Sequence, residues 1–189
     1  MSYYDGRRKR LRKIIVEEDI SLDGIFEDNG KWRFDYSSDD LADFDRTKLK
    51  PDAMLIGRKT YELFASYWPN QKSDENSFAD KMNSMHKYVV SATLKRADWK
   101  NTTIIDGDVP KEISRIKNES DGDIEIFGSA KLVQTLTQYG LVDEFNLLVF
   151  PVILGSGKRL FAEGKKLPVT LVETKKFSKG VVLLHYRTS

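Results

Sequence analysis

Two stretches of this 189-residue chain place a glycine where an apolar run gives way to an amphipathic one. The first is "AMLIGRKTYELF", with Gly57, Arg58, Lys59 and Thr60 at the change. The opening amides of a helix have no internal partner, and the helix dipole is positive there, so such a junction welcomes an anion. Arg58 and Lys59 are then at the end of the helix where acids are normally favoured. Either a bound anion neutralises them or they are solvated surface cations. Thr60 adds a hydroxyl. The second stretch is "IEIFGSAKLVQTL": Gly128 gives the turn, Ser129 the cap, Ala130 room for close approach, and Lys131 a cation. One such junction is also what a plain strand-to-helix turn looks like. Two in one sheet match the two anionic regions of NADP, its pyrophosphate and its 2′-phosphate.

A third glycine-rich stretch, "PVILGSGKRLF", fits neither common phosphate loop. In a Gly-x-x-x-x-Gly-Lys-Ser/Thr register the first glycine falls on Val152 and the hydroxyl on Arg159. In a Gly-x-Gly-x-x-Gly register the third glycine falls on Leu160. The stretch is either a turn ending a long strand or a ligand contact.

The composition narrows the chemistry. There is no cysteine, so thiol nucleophiles, disulfides and thiolate metal sites are excluded. The two histidines, His86 and His185, sit in no recognisable metal or triad motif. Net charge is +2, but six of the residues in "RRKRLRK", 7–13, are basic, so the body is mildly acidic. So short a basic cluster reads as a solvated tail, with nucleic-acid binding the less favoured use. The longest apolar run is far short of the ~20 residues that cross a bilayer. No apolar stretch follows the basic start as in a secretory signal, and the expected location is the cytoplasm.

These residues need a sheet to hold them. Apolar runs predict strands at "KIIVEEDISLDGIF", "DAMLIG", "KYVVSATL", "TTIID", "DIEIFG" and "DEFNLLVFPVIL". Helical spacing predicts helices at "DDLADFDRTKL" (Leu41, Phe44 and Leu49 on one face, capped by Ser38 or Asp39) and "RKTYELFASYW". Others are "SFADKMNSM" with Ser77 as cap, "DVPKEISRIKN", and "SAKLVQTLTQYG" with Leu132, Val133, Leu136 and Tyr139 on one face and Gly140 as stop. "PNQKSDENS" reads as a polar loop. "PVTLVETKKF" and "VVLLHYRTS" read as a terminal hairpin. Alternating strands and helices followed by strands argue for an α/β fold with a largely parallel sheet and antiparallel strands at the end. The expected organisation is a basic leader, 1–11, and one domain, 12–189.

At "LIGRKTYE" the sequence resembles the Gly-Arg-x-Thr motif of the dihydrofolate reductase fold, and "VVSATL" resembles the strand that follows it. "IFGSAKLVQTLTQYGLVDEFNLLVFPVILGSGKRLF" and "SLDG" at 21–24 resemble the C-terminal reductase domain of the bacterial riboflavin-biosynthesis enzyme and its stand-alone relatives. The resemblance spans about residues 12–188. It implies a three-layer α/β/α fold, a homodimer, and NADPH held by Gly57, Arg58, Lys59, Thr60, Ser91, Phe127, Gly128, Ser129, Ala130, Lys131 and Leu132. It implies hydride transfer to a small heterocyclic or carbonyl substrate, as in the reduction of 5-amino-6-(5-phosphoribosylamino)uracil. The alternatives are a nucleotide-binding module without turnover and a dihydrofolate reductase.

The resemblance puts Asp23 of "SLDG" beside cofactor and substrate, as proton donor or as turn-former before Gly24. Asp40 aligns, with a one-residue gap, with the pterin-binding carboxylate, and otherwise reads as a solvated helix charge. Trp32, after a turn at Gly30, and Trp68 offer surfaces for a flat heterocycle or plain packing. Lys158 and Arg159 rim the substrate side, where they meet a substrate anion. Glu17, Glu18 and Asp19 put acids near the nicotinamide edge, lining a pocket or facing solvent. No metal is expected.

Overall fold

A computed structural model of the protein describes residues 11–27, 31–48, 52–71, 78–119, 122–161, 164 and 166–189. The leader up to Arg10, the Gly30 turn, Leu49, most of the polar loop after Asn70 and the Ser77 cap lie outside them. The first half of the chain forms β1 (Ile14–Ser21), β2 (Ile25–Glu27), α1 (Lys31–Phe34), α2 (Asp39–Lys48), β3 (Ala53–Gly57), α3 (Arg58–Tyr67), α4 (Phe78–Ser84) and β4 (His86–Val90). The second half forms β5 (Thr102–Ile105), α5 (Val109–Lys117), β6 (Ile124–Ile126), α6 (Ala130–Gln138), β7 (Glu144–Phe150), β8 (Lys158–Arg159), β9 (Val169–Lys176) and β10 (Val182–Thr188).

The main sheet has eight strands in the order β5-β4-β3-β6-β1-β7-β10-β9. Every pairing from β5 to β7 is parallel, and β10 then runs antiparallel to both β7 and β9. Strand alternation divides the side chains between two faces. On one face Ile14, Val16, Leu55, Ile124 and Ile126 pack with Ile113 and Ile116 of α5 and Leu132, Val133 and Leu136 of α6. On the other, Met54, Ile56 and Val89 pack with Tyr61 of α3 and Met82 of α4. Trp32 and Leu41 cover Leu148, Phe150 and Leu183. The result is three layers, α/β/α. Among the described residues no helix is long and apolar enough to cross a membrane.

Local chemistry sets the boundaries. α5 begins where the Asp108 carboxylate accepts the N–H of Lys111 at 3.2 Å, with Pro110 in the first turn, where no helical donor is lost. α6 stops at Gly140, whose φ of +67° a side chain would resist. Tyr139, expected on the buried face, is 65% exposed at that C-terminus. β7 ends at Phe150 instead of running to Leu154, because Pro151 has no N–H to extend the ladder. β4 ends at Val90: the Ser91 hydroxyl accepts the N–H of Thr93 at 3.2 Å and of Leu94 at 2.9 Å, which bends the chain out of the sheet. Helix α1 and the small β2–β8 sheet were not expected.

Candidate active site

β3 and β6 are neighbouring parallel strands, with Leu55 opposite Ile126, so their carboxyl ends lie side by side. β3 runs directly into α3, and β6 reaches α6 through Phe127, Gly128 and Ser129. The Gly57 N–H donates to the Gly128 carbonyl at 3.3 Å, which joins the two junctions. Neither helix has a side-chain cap or an acid in its first turn. Space is short: a Cβ on Gly57 would lie 3.0 Å from Ser129 Oγ. At Gly128 it would lie 3.1 Å from Phe26 Cζ and 3.4 Å from Thr60 Oγ1, on a backbone with φ of +66°.

Cations surround this double helix start. Lys59 and Lys131 are exposed. Arg58 reaches from α3 to Thr93, donating to its hydroxyl at 2.6 Å, and pairs with Glu62 at 2.6 Å. The Ser91 oxygen is occupied by two amides and positions Thr93. Ala130 and Leu132 are buried in their side chains; only their backbone is left to meet a ligand. The residues present therefore fit a phosphorylated dinucleotide: uncapped amides, crowded glycines where a chain must approach closely, and flanking cations.

Beside the junctions is a cavity of about 600 Å³. The register places Ile15 opposite Glu125, and alternation then puts Glu125, Glu17 and Asp19 on one face of the sheet. All three line the cavity, together with Arg33, Asp45, and a wall of apolar and aromatic side chains that includes Phe26, Trp32, Phe64, Trp68, Phe78 and Phe127. Arg33 bridges Asp19 and Asp45, the latter at 2.7 Å. Burial pushes the Asp19 carboxyl up to about 6 against the opposing pull of Arg33.

Glu18, only 8% exposed, also lines the cavity. Its Oε1 accepts the Gly128 N–H at 2.6 Å, so it touches the cofactor junction and the cavity at once. Burial holds its pKa well above the usual carboxylate value; the Gly128 N–H opposes this, and the charges of Asp19 and Glu125 add to it. The acids at 17–19 therefore line a pocket. Glu125 carried a legible signal, an acid between two isoleucines in a buried strand. Arg33, Asp45, Phe64 and Phe78 carried none beyond their own elements.

The two carboxylates expected to do chemistry are held elsewhere. Asp23 accepts the Ser21 hydroxyl at 2.6 Å and the N–H groups of Leu154 and Gly155 at 3.2 and 2.9 Å. The Ser21 bond and those amides keep its pKa down at about 2. Asp40 accepts the Ser38 hydroxyl at 2.6 Å and the N–H groups of Leu41 and Ser178 at 3.0 and 2.8 Å. These donors, Ser38 first, keep it at about 2 as well. Neither lines the cavity.

Lys158 and Arg159 form β8, which pairs with β2 and not with the cavity. Arg159 donates to the Asp23 carbonyl at 2.9 Å. The glycine-rich stretch is thus a brace. It grips the "SLDG" turn and backs β2, whose Phe26 stands against Gly128. Trp32 packs edge-on to Phe150 at 5.0 Å while lining the cavity, and Trp68 lines it between Phe64 and Phe78.

The chain belongs to the RibD C-terminal domain family, whose profile matches residues 12–183. It is 35% identical over 181 residues to the uncharacterized protein YyaP of Bacillus subtilis (strain 168), covering 94% of this chain and 95% of that one. Its fold is similar to that of a putative riboflavin biosynthesis protein from Shewanella sp. PV-4, with a TM-score of 0.77, 19% identity, and 94% and 99% of the two chains covered. It is also similar to a pyrimidine reductase-like protein from Corynebacterium diphtheriae, with a TM-score of 0.65, 13% identity, and 94% and 92% covered. The fold is dihydrofolate reductase-like, of the RibD type.

Proposed function

We propose, from its place in the RibD C-terminal domain family, that this chain is an NADPH-dependent reductase acting on a small heterocyclic or carbonyl substrate. The observation that carries this reading is the pair of uncapped helix starts joined through Gly57 and Gly128, beside a cavity lined by acids and aromatic side chains. The amides of α3 and α6 would hold the phosphates, with Arg58, Lys59, Thr60 and Lys131 around them. Arg58 would exchange Glu62 for the 2′-phosphate, a small loss because an exposed ion pair contributes little. The bound nicotinamide supplies the hydride.

The chain's own share is to position, exclude water and provide a proton. The aromatic walls fix a flat substrate against the cofactor side. Glu18 takes the acid role, ahead of Asp23 and Asp40. With Oε1 accepting the Gly128 N–H, Oε2 is the oxygen left to carry a proton for transfer. After transfer that same N–H stabilises the carboxylate. Asp23 and Asp40, each already accepting three hydrogen bonds, are left as clamps.

The reading includes a homodimer. β9 ends the sheet, and Val169, Leu171 and Val172 are exposed along it. A second copy would cover this apolar edge. A reductase of this kind works in the cytoplasm.

The test is NADPH oxidation by the purified protein against a panel of pyrimidines, pterins and small carbonyls. At least one should accelerate it well above the substrate-free rate. Tight NADPH binding with no acceleration by any of them would replace the reductase with a nucleotide-binding module.

A further inference from the structure

Arg33 holds more donors than its partners use. A guanidinium carries five N–H groups in a rigid planar fork. Arg33 Nε lies against Asp19 Oδ2, and its Nη2 donates to Asp45 Oδ2 at 2.7 Å. Nη1, with two N–H groups, has no partner among the described residues. Asp19 belongs to β1 and Asp45 to α2, so the fork is pinned from two separate elements. Arg33 also lines the cavity, and its side chain is 36% exposed. The unused arm is therefore a fixed donor beside the space where a flat substrate would lie.

A second observation points the same way. Trp32, the neighbour of Arg33 on α1, is 9% exposed, and its Nε1–H has no acceptor among the described residues. The Nε1–H of Trp68, which lines the same cavity, has none either. A buried donor without a partner costs about 1–3 kcal/mol. Three side chains of the lining thus hold N–H groups for which the described residues supply no acceptor. A ligand that brings acceptor oxygens would remove that cost, and bare hydrocarbon would not. The charge of Arg33 is already met by two carboxylates, so what it offers a ligand is a hydrogen bond.

We infer that Arg33 is a substrate-recognition residue: its Nη1 N–H groups donate to a carbonyl oxygen on the edge of the substrate, while Asp19 and Asp45 hold the guanidinium in place. The word substrate rests on the reductase reading above; the preference of the cavity for a carbonyl does not.

The experiment uses the full chain at pH 7, where Asp19, with a pKa of about 6, is mostly ionised. Two flat probes of similar size are titrated: acetophenone, which carries a carbonyl oxygen, and toluene, which carries no acceptor. Affinity is read from the NMR shifts of the Trp32 and Trp68 indole N–H groups, since both line the cavity. The Arg33 side-chain N–H signals are followed in the same spectra. Acetophenone should bind about ten-fold or more tighter than toluene, the range for a hydrogen bond to a charged group. It should also move the Arg33 signals, which toluene should leave in place. Arg33→Lys keeps a cation between the two carboxylates but loses the third arm of the fork, and should remove most of the preference. Should that variant fail to fold, the unaltered chain still decides: Arg33 signals that stay put at saturating acetophenone would overturn the inference. Equal affinity for the two probes, a preference that survives Arg33→Lys, or no binding of either at low millimolar concentration would each overturn it as well. NADPH is titrated in parallel. A chain that binds NADPH but shows no preference for the carbonyl refutes this inference alone. One that prefers acetophenone but ignores NADPH refutes the cofactor reading and supports the role of Arg33.

Discussion

Arg58 is where the cofactor reading is most exposed to a single substitution. Its guanidinium has two partners, Glu62 and Thr93, both at the rim of the α3 start. Replacing Arg58 by alanine should weaken NADPH by about ten- to a hundred-fold, the range of one charge-assisted hydrogen-bonded pair, and barely change NADH. Calorimetric titration of both nucleotides checks this; equal losses would remove the arginine from the 2′-phosphate. Glu18→Gln keeps an oxygen for the Gly128 N–H but has no proton to give. Its turnover should fall about a hundred-fold or more while NADPH affinity holds. Unchanged turnover would take the acid role from Glu18. The clamping acids predict a pH effect on stability. A carboxylate held near pKa 2 when folded and near ~3.9 when unfolded contributes stability that is present above about pH 4 and lost as pH falls toward about 2. Asp40→Asn should blunt that acid loss in a series of thermal melts. Asp19 works in the opposite direction, since its folded pKa of about 6 lies above the unfolded one. Its ionisation removes stability as pH rises from about 4 through about 6, and Asp19→Asn should flatten that limb of the same series.

The junction elements differ in how much they tolerate. Gly128→Ala meets both a positive φ and the Phe26 ring at 3.1 Å, and should cost about 1–3 kcal/mol in urea denaturation. Gly57→Ala has an ordinary φ of −80° and meets only a serine hydroxyl, so its effect on stability should be the smaller of the two. Both glycines were legible from sequence, because a buried apolar run that turns amphipathic at a glycine has few other readings. The strands from β3 to β7 and the helices from α2 to α6 were legible for the same reason of period. β8 and α1 were not: two and four residues are too few to show a period. The roles of Asp23 and Asp40 were not legible either. Their decisive partners, Leu154, Gly155 and Ser178, stand more than 130 residues away, and an acid in a turn looks the same with or without them. Glu18 stood out as an acid in an apolar strand, but the amide that gives it a role is 110 positions distant.

At the scale of the molecule, the proposed dimer uses the open β9 end of the sheet and the proposed cofactor uses the carboxyl ends of its parallel strands. Leu171, 51% exposed on β9, should hold the second copy. Light scattering should find the chain at twice its own mass and Leu171→Lys at its own mass, and a monomeric wild type would refute the dimer. The larger claim is that parallel strands β3 and β6 bring two helix starts together so that they grip one phosphorylated nicotinamide nucleotide. Isothermal calorimetry of the purified chain with NADPH tests it most directly. Saturable heat with one nucleotide per chain, and markedly weaker binding of NADH, is the expected result. No heat from NADPH at millimolar concentration would contradict it.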